Sequence, residues 1–332
     1  MKTGIRRTLG LILIAGWICV VPVWGGALKT QNVVIFVSDG ERYSETWGEP
    51  HKQYIPHMAK DLAPQGVIYT NFRNEGPTYT NAGHSAICTG FYQEIENSAG
   101  SQLPDNPSNF QRFLKSTGLS KDKAWVITSK DKLAILVDCA NPKWKGKYIA
   151  STNCGVGGKG LGSGYREDSQ TFPEIKRILK QYHPRLVLIN LKEPDARGHS
   201  NDWKGYLAAI RDNDEKELQM WQFLQSDSFY KDKTAFFVTN DHGRHLDGVE
   251  NGFIDHGCPC EGCKHIFFFA AGPDFKKNAV VDRKREQIDL AATSASLLGF
   301  SIPGSKGRRM NELFVTAPAK TEPKVPAASA KP

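Results

Sequence analysis

Residues 234–243 read TAFFVTNDHG: six residues of apolar or β-branched character, then an aspartate and a histidine side by side before a glycine. A run that is apolar at consecutive rather than alternate positions suits a strand covered on both faces. Such strands belong to parallel sheets flanked by helices. Four further runs share this character, at 32–37, 124–128, 185–190 and 265–271. Between them lie segments of helical periodicity at 172–181, 203–225 and 287–298. Strands alternating with helices predict an α/β chain, a three-layer sandwich around a mostly parallel central sheet. No internal repeat interrupts this pattern.

The ends of the strands carry the chemistry. NVVIFVSD (32–39) ends on Asp39, RLVLINLKEPDARGH (185–199) runs on to Asp195 and His199, and the opening stretch delivers Asp241 and His242. His256 lies in DHG (255–257), just before the last long strand. One aspartate after a strand is ordinarily a turn residue or a helix cap. Three such arrivals, two with a histidine attached, point instead to ligands gathered beyond the carboxyl ends of an open sheet. Imidazole and carboxylate donors suit zinc, although manganese or iron accept the same set. The donors suffice for two ions, and paired metals about 4 Å apart suit phosphoryl transfer.

PTYTNAGHSAICTG (77–90) places Thr80 just before a helix-like run at 81–90. Two readings stand open. Thr80 is a cap for the free N–H groups of the first turn, or it is a nucleophile at a helix terminus that favours negative charge. A hydroxyl needs a metal or a base to attack at neutral pH, and the ligands above would supply the metal.

The chain has 332 residues and a formal charge of +8. Residues 1–27 have the layout of a secretory signal: Lys2, Arg6 and Arg7, then an apolar stretch over 9–23, then small residues at Gly25 and Ala27. An uncleaved anchor is the alternative, although the apolar stretch is short for a membrane span. Export, to a periplasm or beyond the cell, is the expectation. Residues 316–332 are Pro/Ala/Lys-rich and are expected to be disordered. The expected folded domain is 28–315, with no membrane span and a small cap at most. No basic stripe interleaved with aromatics suggests nucleic acid as a partner; the mild positive balance fits a small anionic substrate. Six cysteines remain beyond the leader. Cys139 and Cys154 flank one polar excursion and are the expected disulfide pair. Cys258, Cys260 and Cys263 in HGCPCEGCKH are open to disulfides or, with a histidine, to a structural zinc. Cys88 reads as a small buried hydrophobe. GVGGKGLGSG (155–164) lacks the context of a phosphate-binding loop and is read as a flexible loop.

Taken together, the motifs resemble the alkaline phosphatase superfamily, and within it the nucleotide pyrophosphatase/phosphodiesterase and phosphonoacetate hydrolase branches. VVIFVSDG is similar to the first-strand metal motif, TNAGHSAICTG to the nucleophile motif, EPDARGH to E-P-D-x-x-G-H, NDHG to the paired Asp-His motif, and DHG to the late histidine motif. The resemblance extends from about residue 32 to 314. It implies an alkaline phosphatase-like fold and two divalent metal ions, zinc by that likeness. Asp195, His199 and His256 would hold one metal; Asp39, Asp241, His242 and ionised Thr80 would hold the other. Thr80 would attack phosphorus to give a phosphothreonine, which water then hydrolyses; His84, one turn along, would be structural. Asn97 is the implied binder of a substrate oxygen, and SKDKL (129–133) resembles a stretch whose lysines bind substrate, which nominates Lys130 and Lys132. The implied function is an exported hydrolase of phosphomonoesters or phosphodiesters. A phosphonate hydrolase at the same site is the alternative. A sulfatase would need a C/S-x-P-x-R signature that is missing, a phosphomutase would need a larger cap, and a non-catalytic binder would be expected to lack the nucleophile or several ligands.

Overall fold

The computed structural model describes residues 28–315; the leader read at 1–27 and the tail at 316–332 lie outside the described residues. The chain forms β1 (Asn32–Ser38), β2 (Gly66–Arg73), α1 (Thr80–Thr89), α2 (Asn109–Thr117) and β3 (Ala124–Thr128). It continues with β4 (Ser151–Cys154), α3 (Asp168–Tyr182), β5 (Leu186–Leu191), α4 (Glu193–His199), α5 (Trp203–Ser226) and β6 (Thr234–Thr239). The last elements are α6 (Glu261–Lys264), β7 (His265–Ala271), β8 (Ala279–Val281), β9 (Arg285–Glu286) and α7 (Gln287–Leu297).

All strands join one sheet in the order β4-β3-β5-β1-β6-β7-β2-β8, with β9 beside β2. Alternate residues of β1 serve opposite cores. Val33, Ile35 and Val37 pack with residues of α1, α2 and α7, whereas Val34 and Phe36 pack with residues of α3 and α5. This is the expected three-layer sandwich, and it explains the unbroken apolar runs, since each strand must satisfy a core on both sides. Each such side chain, fully buried, contributes about 1.5–3 kcal/mol.

Register aligns the strand ends. Thr128 of β3 and Val37 of β1 both stand opposite Asn190 of β5, and Val37 also stands opposite Thr239 of β6. Four parallel strands therefore finish level, and the residues that follow them emerge at one place. β7 departs from the expected parallel direction, running antiparallel to β6. The reason is the connection: it holds only a 3-10 turn at Gly252–Ile254 and the four-residue α6, so no crossover helix carries the chain to the far end of the sheet. β2 was not legible as a strand. Its polar Thr70 and Asn71 fall where the pairing with β7 shifts register, which breaks the apolar pattern.

Two cysteine and loop expectations are corrected. Cys139 and Cys154 are both buried and unbridged. Cys154 closes β4 with its Sγ 3.5 Å from the carbonyl of Val126 in β3, so the thiol faces the neighbouring strand. The glycine-rich 155–164 segment is an ordered loop. Gly155 N–H donates to Thr128 O, Val156 N–H to Gly164 O, and Gly164 N–H to the Asp131 carboxylate.

Beneath the strand ends, Ser38 Oγ donates to Glu217 Oε1 at 2.9 Å, and Asn213 bridges to Ser38 and Glu41. Burial, then the neighbouring Glu41 and Asp214, hold the Glu217 carboxyl well above the usual range. Burial, opposed by the Asn213 hydrogen bond, lifts Glu41 to about 8. The folded protein thus keeps protons that unfolded glutamates lose above a pKa of about 4.3. Stability must fall as pH rises out of the ordinary glutamate range toward 8. Glu217→Gln is expected to flatten that fall and to stabilise most at the alkaline end, by at most about 1.4 kcal/mol per pH unit. Thermal midpoints measured from pH 5 to 9 check this; an equally steep decline in the variant would sink it.

Candidate functional site

Beyond the level ends of β3, β5, β1 and β6 the sequence-predicted residues converge. Asp39 follows β1 directly and is fully buried; its Oδ2 accepts from Asn190 Nδ2 at 2.8 Å. Gly40, at φ +69°, turns the chain away, and a Cβ there would come within 2.9 Å of Asp195 Oδ1. Asp241 and His242 leave β6 and are fully buried. Helix α1 presses so closely on them that a Cβ at Gly83 would lie 2.5 Å from Asp241 O. Asp195 and His199 sit on α4, whose first N–H groups, at Lys192 and Glu193, donate to the Asp168 carboxylate, each at 2.9 Å.

The donors fall into two clusters. Asp39, Asp241 and His242 offer ligand atoms within 4.8 Å of one another. Asp39 Oδ1, Asp241 Oδ2 and His242 Nε2 are buried and make no well-aligned hydrogen bond, although Lys130 Nζ lies 2.9 Å from the first and His84 Nδ1 3.1 Å from the second. Burial holds the His242 imidazole well below its usual pKa, so it stays neutral with a lone pair to give, and its Nδ1 faces Gly243 O at 2.9 Å. In the second cluster Asp195 Oδ1 is 3.3 Å from His199 Nε2 and 3.4 Å from His256 Nε2, and the two imidazole nitrogens are 3.1 Å apart. His256 Nδ1 is anchored on Thr78 O at 2.9 Å. Carboxylate and imidazole atoms turned on a common point are what a divalent ion requires, and both clusters fit one, although Asp195 Oδ1 in the second also meets Arg244 Nη1. The His242 and His256 rings stack at 3.8 Å, which joins the two clusters.

Thr80 is the first residue of α1. Tyr79 occupies the cap position and makes no side-chain cap bond, so the capping role open to Thr80 falls away. Its Oγ1 is 3.1 Å from Lys130 Nζ. That ammonium is buried, 2.9 Å from Asp39 Oδ1 and 2.6 Å from Asp195 Oδ2. Burial disfavours its charge, but Asp195, Asp39 and Asp241 outweigh burial and hold its pKa above the ordinary lysine value. Burial likewise opposes the charge on Asp195, yet Lys130, the two histidines and Arg244 keep its carboxyl well below the usual range. Lys132 Nζ donates to Asn97 O and Oδ1 at 2.8 and 3.1 Å, and Asn97 Oδ1 accepts the Asn81 N–H in the first turn of α1. Burial and then the Lys130 charge push Lys132 down to about 8. His84 links the layers, its Nδ1 2.9 Å from Thr80 O and 3.1 Å from Asp241 Oδ2.

Three contributors escaped the sequence reading. Asn190 is the last polar residue of an apolar strand and looked like a terminus. Tyr165, half exposed, lies with its ring 5.8 Å from Lys130 Nζ at the lip of the site. Arg244 is fully buried; its Nη1 pairs with Asp195 Oδ1, while Nε and Nη2 donate to the carbonyls of Phe253 and Ile254. One guanidinium therefore ties a ligand to the loop that leads to His256. Arg244→Ala is expected to weaken zinc at the Asp195 cluster by about 10–100-fold, and Arg244→Lys should not restore it, because a point charge cannot span three acceptors. Titration against a competing chelator reads this directly; unchanged affinity would contradict it.

Comparison with known proteins agrees with the fold. A family model described as type I phosphodiesterase / nucleotide pyrophosphatase matches residues 33–245. The chain is 21% identical over 314 residues to GPI ethanolamine phosphate transferase 1 of Mus musculus, which covers 82% of this chain and 32% of that protein. It spans about a third of the length of the curated relatives it matches. Among solved structures it resembles murine ectonucleotide pyrophosphatase/phosphodiesterase 5, with a TM-score of 0.62 and 14% identity over 86% of this chain and 100% of the other. That protein is also known in an inactive threonine-to-alanine form in complex with AMP. A phosphonate monoester hydrolase from Silicibacter pomeroyi matches with a TM-score of 0.59 and 14% identity, over 88% and 78% of the two chains. Among the described residues no helix is long and apolar enough to cross a membrane. The family match spans well over half the sequence, and the chain belongs to the type I phosphodiesterase / nucleotide pyrophosphatase family.

Proposed function

We propose that this protein is an exported phosphodiesterase that works through a covalent intermediate on Thr80. The observation that carries the reading is the position of Thr80 Oγ1, at the start of α1 and 3.1 Å from an ammonium that also touches Asp39 and Asp195. Two divalent ions, zinc by the chemistry of the donors, would polarise the phosphoryl oxygens and favour the ionised hydroxyl when bound. Asp39, Asp241 and His242 would hold one, and Asp195, His199 and His256 the other. Thr80 Oγ1 would form a bond to phosphorus as the bond to the leaving oxygen breaks, its proton ending on the departing alcohol. Water then displaces Thr80, releasing a phosphomonoester and restoring the hydroxyl. Lys130, whose charge Asp195, Asp39 and Asp241 support, would serve as a donor to the attacking and phosphoryl oxygens. Lys132 and Asn97, beside the first turn of α1, are placed to grip a non-bridging oxygen.

The family and the AMP held by the murine relative favour a phosphodiester, with a phosphomonoester as the lesser substrate. A phosphonate hydrolase is the second reading, supported by Lys130 and Lys132 converging on the site. Export rests on the leader expected at residues 1–27. The deciding experiment offers zinc-loaded protein bis(p-nitrophenyl) phosphate, p-nitrophenyl phosphate, p-nitrophenyl sulfate and phosphonoacetate, with acid quenching and peptide mapping. Fastest turnover of the diester, with phosphorus trapped on Thr80, is the expected result. Preference for phosphonoacetate would select the second reading. Sulfate turnover, or a mapped adduct elsewhere, would overturn both.

A further inference from the structure

We propose that His245, Cys258, Cys260 and Cys263 form a structural zinc site separate from the two clusters above. Each of the four offers one ligand atom, and all lie within 4.8 Å of one another. Cys258 Sγ and Cys263 Sγ are 4.0 Å apart, close to the edge of about 3.8 Å in a tetrahedron with zinc–sulfur bonds of about 2.3 Å. All three cysteines are unbridged. The Cys260 N–H points at Cys258 Sγ from 3.3 Å, an orientation that favours a thiolate there.

The histidine is the decisive member. His245 is 1% exposed, yet neither ring nitrogen has a hydrogen-bond partner. A buried polar group left in that state costs about 1–3 kcal/mol. Coordination removes the difficulty. The Glu250 carboxylate is 3.5 Å from Nδ1, the side on which a ligating imidazole commonly meets a carboxylate, and this leaves Nε2 for the metal. The histidines nearer in sequence are otherwise engaged. His256 is held by Thr78 O and stacked on His242, while His265 Nε2 faces Thr70 O at 2.8 Å and its ring stacks on Tyr43. Sequence spacing alone pointed toward those two; the fold selects a residue eleven or more positions upstream.

The location gives the site a purpose. Gly243 N–H donates to Cys263 O at 2.9 Å, and a Cβ on Gly243 would sit 2.0 Å from Gly262 O, so the cysteine loop lies backbone to backbone on the segment leaving Asp241 and His242. His245 N–H donates to Asp255 O at 3.1 Å, next to His256. Thr78 Oγ1 donates to Cys258 O at 2.9 Å, two residues before Thr80. An ion at this point would fasten together the loops that bear His242, His256 and Thr80. Binding exchanges the thiol protons for the metal, leaving three thiolates and one neutral imidazole on it.

The test replaces bound zinc by cobalt(II) in the full chain and looks for sulfur-to-cobalt charge-transfer absorption in the near ultraviolet. The band should appear in the wild type, persist in Asp39→Asn and lose intensity in Cys260→Ser, and zinc X-ray absorption of the wild type should show three sulfur neighbours on one ion. Peptide mapping without reductant should find all three thiols free. A cobalt-loaded wild type with no thiolate band, or a disulfide between any two of the three cysteines, would overturn the proposal. Both of those readings come from the wild type and stand whether or not the cysteine variant folds.

Discussion

Thr80→Ala is expected to lower hydrolysis of the best phosphodiester by on the order of 10⁴-fold, the scale of removing a nucleophile from a working set. That is about 5.5 kcal/mol at the transition state. The loss should come without unfolding. Thr80 Oγ1 has Lys130 as its hydrogen-bond donor and caps nothing, and alanine is the better helix former at that position. Zinc affinity should change little, since Asp39, Asp241 and His242 remain. Thr80→Ser keeps the hydroxyl and should stay within about tenfold of the wild type, the missing methyl costing orientation rather than chemistry. The measurement is turnover beside a thermal melt and a zinc titration on the same preparations. Turnover in Thr80→Ala within tenfold of the wild type would mean that water attacks phosphorus directly, and Thr80 would be left as a first-turn residue.

The sheet centre was legible because covering a strand on both faces leaves a compositional mark. β1, β3, β6 and β7 were placed to within a residue on that ground, as were the ends of α5 and α7, whereas α3 begins four residues before the expected start at 172. β2 and the short β4, β8 and β9 carry no such mark, because they lie toward an edge or are interrupted by polar residues. The direction of β7 was hidden for a different reason. A strand's apolarity reports its burial, whereas its direction depends on the loop before it. The site shows the same division. Strand-terminal Asp and His residues announce themselves by position, and the structure brings every one of them to a cluster. Arg244 does not, since an arginine in a polar loop reads as surface charge until the fold closes Phe253, Ile254 and Asp195 around it. Asp168 is similar: it lay outside the helix expected at 172–181, yet it opens α3, caps α4 and accepts from Ser129 Oγ, beside Lys130. Sequence marks what a residue must be buried against less clearly than whether it is buried at all.

Lys130→Met should separate stability, metal affinity and turnover in opposite directions. The ammonium sits between Asp39 and Asp195 at 2.9 and 2.6 Å and neutralises a cluster that also includes Asp241. Removing it leaves buried carboxylates without their counter-charge, a loss of about 3–5 kcal/mol in metal-stripped protein. For a domain of this size the thermal midpoint should fall by roughly 10 °C. The difference should hold steady from pH 6 to 9. Lys130 has a raised pKa, so its contribution is complete below the ordinary lysine value of about 10.4 and is lost only as pH climbs through the folded value. Asp195 has a depressed pKa, so its share is present above the ordinary aspartate value of about 3.9 and is lost as pH falls through the folded one. A zinc ion held by these carboxylates, as proposed, would compete with this ammonium for the same oxygens, so the variant should bind zinc about tenfold more tightly or better and recover its stability on loading. Turnover should nevertheless drop by about 10²–10³-fold, because the donor to Thr80 Oγ1 is gone. General damage to the fold would weaken zinc along with everything else. Tighter zinc beside slower chemistry therefore identifies a lysine that stands in for the metals when they are absent and serves the phosphoryl group when they are present. An unchanged melt in the stripped variant, or zinc bound less tightly than in the wild type, would refute that double role.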